Sequence, residues 1–445
     1  EKRKGMDRNM TKTGMMKKLK SNWQAIALTV VVLLSLFISW IVWTNPFPFE
    51  GARHESFNNN QSQQYTPQSR GDVYLPTKAV ETNEKGTQNQ LYSPKANLIL
   101  SVKKELEDWK LGRTNVVKQN NSDVYLSYLR RRNSLMLTYP DEVPSSVFNE
   151  TFSQSIDTDR VNQINHIVIP LNGQHEIYLL GDHHYSVYRV RVEQGKFNHI
   201  RQLLKSMDRI PVDHKTINGV AVMMYPRSFE LPALGYQITA QNIDTLSASL
   251  MSTNQHTTIT ANRNGNETTY TDGTNRRLIF NHQDGTLKYE NYLSKDDRES
   301  TSQIFPHFYN KLTTIGIPLD NLRYDEVSEH GRRLNYRAYV NSFPIFNSDG
   351  YGEVTLESTS SGNERFWLSL YSLRVPLPID HQMVKLPSSA DVINQLHATN
   401  RMRDIKDLRV GYIWKTDKDS HVVKLVPTYF IKYRGHWVEY TELEK

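Results

Sequence analysis

Four groups of residues carry side chains that could do chemistry. Ser101 and Lys104 stand in S-x-x-K spacing, which puts an amine one helical turn from a hydroxyl it could activate. His175, His183 and His184, with Glu176 and Asp182 beside them, could meet across a hairpin as ligands of a metal ion. Asp325 and Glu326 are adjacent carboxylates, the pairing used in acid–base catalysis. Tyr429, Tyr433, Trp437 and Tyr440 could stack on a sugar ring.

Each group has a plainer reading, which the spacing favours. No K-T-G follows Ser101, so it is expected on an ordinary amphipathic helix. Adjacent strand residues face opposite ways, so His183 and His184 could share an ion only from a turn, and solvated turn histidines are expected. The carboxylate pair is expected in a solvated, charged loop beside a strand end. The aromatics are expected as the inward face of a two-stranded sheet. The sequence also lacks G-x-S-x-G, H-E-x-x-H, G-x-x-x-x-G-K-[ST] and G-x-G-x-x-G. No catalytic, cofactor-binding or metal residue is therefore assigned, and no cofactor is expected.

Position along the chain is set by one stretch, Ala25 to Trp43, with no charged residue between Lys20 and Glu50. As a helix it reaches about 28 Å at 1.5 Å per residue, enough to span a hydrocarbon core. Residues 1–20 hold eight basic residues against two acidic ones, which is +6 of the net +7. The positive-inside rule then puts the N-terminus in the cytoplasm and the remainder outside. A cleaved signal peptide is the rival reading, but SWIVWTNPFPF offers no small-x-small cleavage site. Ala27, Val31, Ser35 and Ser39 recur every four residues and form a stripe of mostly small side chains, the expected packing face for a partner helix. The basic tail suits anionic lipids, so membrane lipids are expected partners and the pI is no sign of nucleic acid.

The outer part is nearly neutral and contains no cysteine, so its domains must rest on ordinary cores. The expected division is a cytoplasmic tail 1–20, a transmembrane helix 21–44, a polar linker 45–70, and three α+β extracellular domains rich in antiparallel strands, 71–230, 231–380 and 381–445. In the first domain, DVYLP, VYLSYL, SLMLTYP, HIVIPL, EIYLLG and YSVYRVRV read as strands. A helix is expected from Ser93-Pro94 to near Gly112, burying Leu98, Val102, Leu106 and Trp109. Asp272-Gly273 and Asp284-Gly285 predict tight hairpins, and Pro387-Ser388-Ser389 predicts a helix start.

The anchor ending WIVWT, the segment NGNETTYTDGTNRRLIFN, the strand YRAYVNSFPIFN and the closing LVPTYFIKYRGHWVEY resemble the YycH family. The resemblance covers nearly the whole chain. It implies a non-enzymatic membrane protein of Gram-positive bacteria that works with a YycI-like membrane protein. Together they would adjust a WalK-like sensor histidine kinase of the WalK/WalR system, which controls cell-wall metabolism, through contacts between membrane helices. It implies no catalytic residues. The alternatives are an anchored cell-wall-binding module or enzyme, and a tether or inhibitor of an exported protease.

Overall fold

The computed structural model describes residues 69–443 apart from 95, 218–219, 252–257, 274, 293–300, 320, 379–381, 399–401 and 417–421, together with Leu28, Val31, Val32 and Ser35. Those four are helical and exposed. The rest of the expected anchor, with Ala27 and Ser39, lies outside the described residues, as do the tail and most of the linker. Among the described residues no helix is long and apolar enough to cross a membrane.

Nine strands come first: β1 (Lys78–Thr82), β2 (Gln88–Tyr92), β3 (Lys110–Lys118), β4 (Ser134–Pro144), β5 (Gln163–Pro170), β6 (Glu176–Gly181), β7 (Ser186–Gln194), β8 (Asp208–Ile217) and β9 (Val220–Met224). α1 (Arg70–Val73) precedes them, and between them lie α2 (Leu98–Glu107), α3 (Ser122–Leu129), α4 (Ser145–Thr151) and α5 (Phe197–Leu204). The strands form one antiparallel sheet in the order β3-β7-β6-β5-β4-β1-β2-β8-β9. Alternate side chains of a strand point to opposite faces. Leu135, Leu137, Ile167, Ile169, Ile177 and Leu179 accordingly join one core, while Met136, Val168, Tyr178 and Leu180 join another. Both faces are covered, which is why HIVIPL and EIYLLG read as continuous apolar runs. Each such side chain contributes about 1.5–3 kcal/mol when fully buried.

Local chemistry explains where these elements agree with the sequence reading and where they differ. Leu98, Val102, Leu106 and Trp109 are all buried, as their spacing predicts. Their helix starts later than expected, because the Asn97 side chain accepts the Leu100 N–H at 3.1 Å and caps it there. DVYLP is not a strand, and the first strand begins only at Lys78. Ser69 and Asp72 form a capping box, and residues 70–73 are helical. VYLSYL is helical too, capped by Asn121 and burying Tyr125 and Leu129 one turn apart on one face.

The second half contributes β10 (Phe229–Pro232), β11 (Leu234–Ala240), β12 (Thr260–Asn264), β13 (Glu267–Thr271), β14 (Arg276–Asn281), β15 (Thr286–Asn291), β16 (Leu322–Ser328), β17 (Arg333–Val340), β18 (Phe343–Phe346), β19 (Glu353–Ser358), β20 (Glu364–Ser369), β21 (Tyr371–Leu377), β22 (Met383–Leu386), β23 (Ile405–Thr416), β24 (Val422–Tyr433) and β25 (His436–Glu439). The helices are α6 (Ile243–Met251), α7 (Thr301–Ile315) and α8 (Ser389–Ala398). β10 pairs with β22, and the other strands form one large sheet in which β18 and β23 run parallel. Strands from 231–380 and from 381–445 thus share that sheet. The chain is α+β, strand-rich and mostly antiparallel, as the sequence predicts, with eight α-helices among the described residues. Gly273 and Gly285 take positive φ at the two Asp-Gly turns. Ser388 and Asp391 form a capping box at α8, where Pro387-Ser388-Ser389 predicts a helix start.

Both sheets belong to one compact unit, Asn59–Lys445. Where they meet, β4 bulges: Thr138 pairs with His166 and Val143 with Ile164, so Tyr139, Pro140, Asp141 and Glu142 lie opposite Asn165 alone. The bulge faces β16 and β23. On the other side of it, the Tyr74 hydroxyl donates to the Phe305 carbonyl at 2.6 Å and lies 2.8 Å from the Tyr336 hydroxyl.

Candidate functional site

The chemistry-bearing residues concentrate where the two sheets meet. β16 and β17 slip register between Tyr324 and Glu326, so the consecutive residues Tyr324 and Asp325 both turn inward and are 0% exposed. Asp325 Oδ2 accepts Arg337 Nε at 2.9 Å, and Oδ1 accepts Arg409 Nη1 at 2.9 Å and the Tyr339 hydroxyl at 2.8 Å. Arg337 also reaches Glu353 at 2.8 Å and donates to the Ile345 carbonyl. Arg409 reaches Asp407 at 2.9 Å and donates to the Pro140 carbonyl in the β4 bulge at 2.8 Å. Each guanidinium lies over an aromatic ring, Arg337 over Phe346 at 4.3 Å and Arg409 over Trp437 at 4.4 Å.

Burial pushes the Asp325 carboxyl up, but the pull of Arg337 and Arg409 outweighs it and holds the group at about 2. The arginines are in turn held more firmly protonated by their carboxylates. Lys78, on β1 of the facing sheet, has its ammonium pushed down to about 8 by burial and by the Arg409 charge. This is a network of paired charges with its donors and acceptors engaged, and its shape suits fixing two sheets together.

A second cluster lies on the same face of the nine-stranded sheet. Thr138 Oγ1 is 2.9 Å from His166 Nδ1, and His166 Nε2 is 3.0 Å from Asp182 Oδ1. Tyr125 donates its hydroxyl to Asp182 as well. Hydroxyl, imidazole and carboxylate in a row is the arrangement of a catalytic triad. Here Thr138 sits within a strand and His166 is almost wholly buried, so the contacts tie β4 and β5 to the β6–β7 turn and to α3. Nearby, burial pushes His214 down to about 3, so it stays neutral, with Nδ1 2.9 Å from Gln88 Oε1.

The residues singled out from sequence fall as follows. The Ser101 hydroxyl donates back to the Asn97 carbonyl within α2, as an ordinary helical serine does. His183 and His184 are exposed on the β6–β7 turn, and His175 sits apart against Phe197. No metal-ligand cluster occurs among the described residues. Asp325 and Glu326 are not a solvated pair: Asp325 is the centre of the network, and Glu326 pairs with Lys432 at 2.8 Å. Tyr429 is fully buried and donates to the Pro387 carbonyl, while Trp437 lies beneath Arg409. Of the expected helix-packing stripe, Val31 and Ser35 alone are described, both helical and exposed. Sequence reasoning missed Arg337, Arg409 and His166. The available signal was a charged residue inside an apolar alternating strand, as in LNYRAYV.

A cavity of about 60 Å³ lies between Ile317, Leu322, Glu353, Leu370, Leu373 and Trp414. It has room for a few waters, against the roughly 300–1,000 Å³ of sites for drug-sized ligands.

The family model "YycH protein, N-terminal domain" matches residues 21–209, and "YycH protein, C-terminal domain" matches 226–445. The crystal structure of YycH from Bacillus subtilis superposes with a TM-score of 0.69 at 16% sequence identity, covering 85% of this chain and 98% of that one. At that identity it speaks for the fold. No curated protein sequence matches the chain.

Proposed function

The chain belongs to the YycH family, and on that premise we propose that it is a membrane-anchored, non-enzymatic regulator of a WalK-like sensor histidine kinase. In this reading it acts with a YycI-like membrane protein. The observation that carries it is the match of both family models, which together span most of the chain. The charge pattern supports a single span with a cytoplasmic basic tail and extracellular sheets. The stripe Ala27, Val31, Ser35 and Ser39 is its packing face toward partner helices. The modest cavity and the paired charges around Asp325 suit a scaffold that holds proteins.

Regulation of this kind requires only that the protein bind the two states of the kinase unequally. Reconstituting the full-length chain with a WalK-like kinase in proteoliposomes should shift kinase autophosphorylation, in either direction, relative to the kinase alone. Identical rates with and without the chain would remove the proposal.

A further inference from the structure

At the β21 end of the large sheet, β23, β24, β11 and β21 lie side by side. Trp414, Val423 and Leu425 point to one face and join the core that also holds Val392 and Leu396 of α8. The other face is open to solvent. Lys415, Lys424, Gly235 and Leu377 form one row across the four strands, and Val422, Gln237 and the pair Arg374 and Val375 form the next across three. Arg374 and Val375 share this face because β21 bulges, both lying opposite Gln237 between the Tyr236–Pro376 and Ile238–Leu373 pairs. Lys415, Lys424, Arg374 and Gln237 are exposed, as are Val375 at 43% and Val422 at 38%. Ile413 and Val426, paired on the same face, are half-buried.

Two properties set this face apart from an ordinary solvated one. Like charges directly opposite each other weaken a sheet, yet Lys415 stands opposite Lys424 and neither row holds an acidic residue. Among the described residues Lys415 and Arg374 have no ion-pair partner, and the Lys424 amine donates to a neutral amide, Gln382 Oε1, at 2.8 Å. The second property is the apolar surface set among these cations, since exposed apolar side chains grouped within a polar rim mark a contact surface. The charge calls for an anionic partner, and Val375 and Val422 call for one with an apolar layer just beneath its charge. A bilayer with anionic headgroups offers both. The span is expected to end at residue 44 and the described fold begins at Ser69, so the chain between them reaches at most about 85 Å. The face is therefore held near that bilayer.

We propose that this face, built on Lys415, Lys424, Arg374, Val375 and Val422, docks on the anionic lipid headgroups of the membrane that anchors the chain. The contact rests on the anchored reading above and adds where the sheets sit when the anchor is in place. The lysine and arginine stems lie along the apolar surface while their charged ends stay among the headgroups. Each such cation favours contact with an anionic surface about fivefold.

The chain has no cysteine, so Val422→Cys gives a single attachment point for a polarity-sensitive dye in the full-length protein. The labelled chain is reconstituted into vesicles of phosphatidylcholine alone, or of phosphatidylcholine and phosphatidylglycerol in equal parts. Flotation with the vesicles checks the anchor by itself: a chain that floats with neither removes the anchored reading and the contact with it. In a chain that floats with both, the dye should shift to the blue with phosphatidylglycerol and stay unshifted without it. Placed at Asn262→Cys on β12, at the far end of the sheet, it should shift in neither. Lys415→Gln with Lys424→Gln should lower the ratio of docked to undocked chain about 25-fold, two factors of five. Thermal stability should not fall, since an opposed pair of like charges is removed. A dye at Val422→Cys that shifts in neither vesicle, or equally in both, or that keeps its shift in the double variant, overturns the proposal. Should the labelled chain fold poorly, amide exchange along β21 in the unsubstituted protein decides: slowing with phosphatidylglycerol alone supports docking, and equal exchange in both vesicles ends it.

Discussion

Asp325→Ala is expected to lower the unfolding free energy by about 3–5 kcal/mol, read from urea denaturation of the full-length protein in detergent. The loss comes less from the missing contacts than from what stays behind. Arg337 and Arg409 are 3% and 6% exposed, and without Asp325 both remain buried and undercompensated. Replacing all three together, Asp325→Leu with Arg337→Met and Arg409→Met, should therefore cost much less than the single change, since apolar groups need no counter-charge. A triple variant as unstable as Asp325→Ala would show that packing, and not stranded charge, sets the cost. Acid acts in the same direction. The carboxyl is held low in the folded state, so its contribution is complete above the usual aspartate range and disappears as pH falls through about 2.

Ser35→Leu with Ser39→Leu is expected to have the largest effect on signalling. Two bulky side chains on the small stripe would keep a partner helix from close approach. Typical coupling energies of 1–3 kcal/mol correspond to about 5- to 150-fold, and most of the kinase shift seen in proteoliposomes should vanish with the double change. The two sheets should fold as before, because the substitutions lie far from both cores in sequence. A double variant that shifts the kinase as well as the wild type would mean that the stripe is not the contact.

What could be read from sequence was mainly what rests on local periodicity. The stripe of Leu98, Val102, Leu106 and Trp109, the strand runs through HIVIPL and EIYLLG, and the turns at Gly273 and Gly285 depend on neighbours within a few residues. VYLSYL misled because its aromatic and apolar residues suit either a strand or a short buried helix. The capping Asn121 just before it decides for helix. The junction was harder to see. Asp325 looks like half of a solvated carboxylate pair because its partners are distant, Arg337 being 12 residues on and Arg409 84 residues on. Only the slip in β16 turns it inward, and nothing nearby in sequence announces that slip. The spacing of His166 and Asp182 was equally silent, since it takes the pairing of β4, β5 and β6 to bring them together.

The central claim is that this chain meets its target within the membrane. The most direct measurement places a photo-crosslinking residue at Val31 or Ser35 of the full-length protein in intact membranes and identifies what is captured. The account predicts a sensor histidine kinase or a YycI-like single-span protein, captured from Val31 or Ser35 and not from Leu33. Capture of lipid alone from both faces, with kinase output still dependent on the chain, would contradict it.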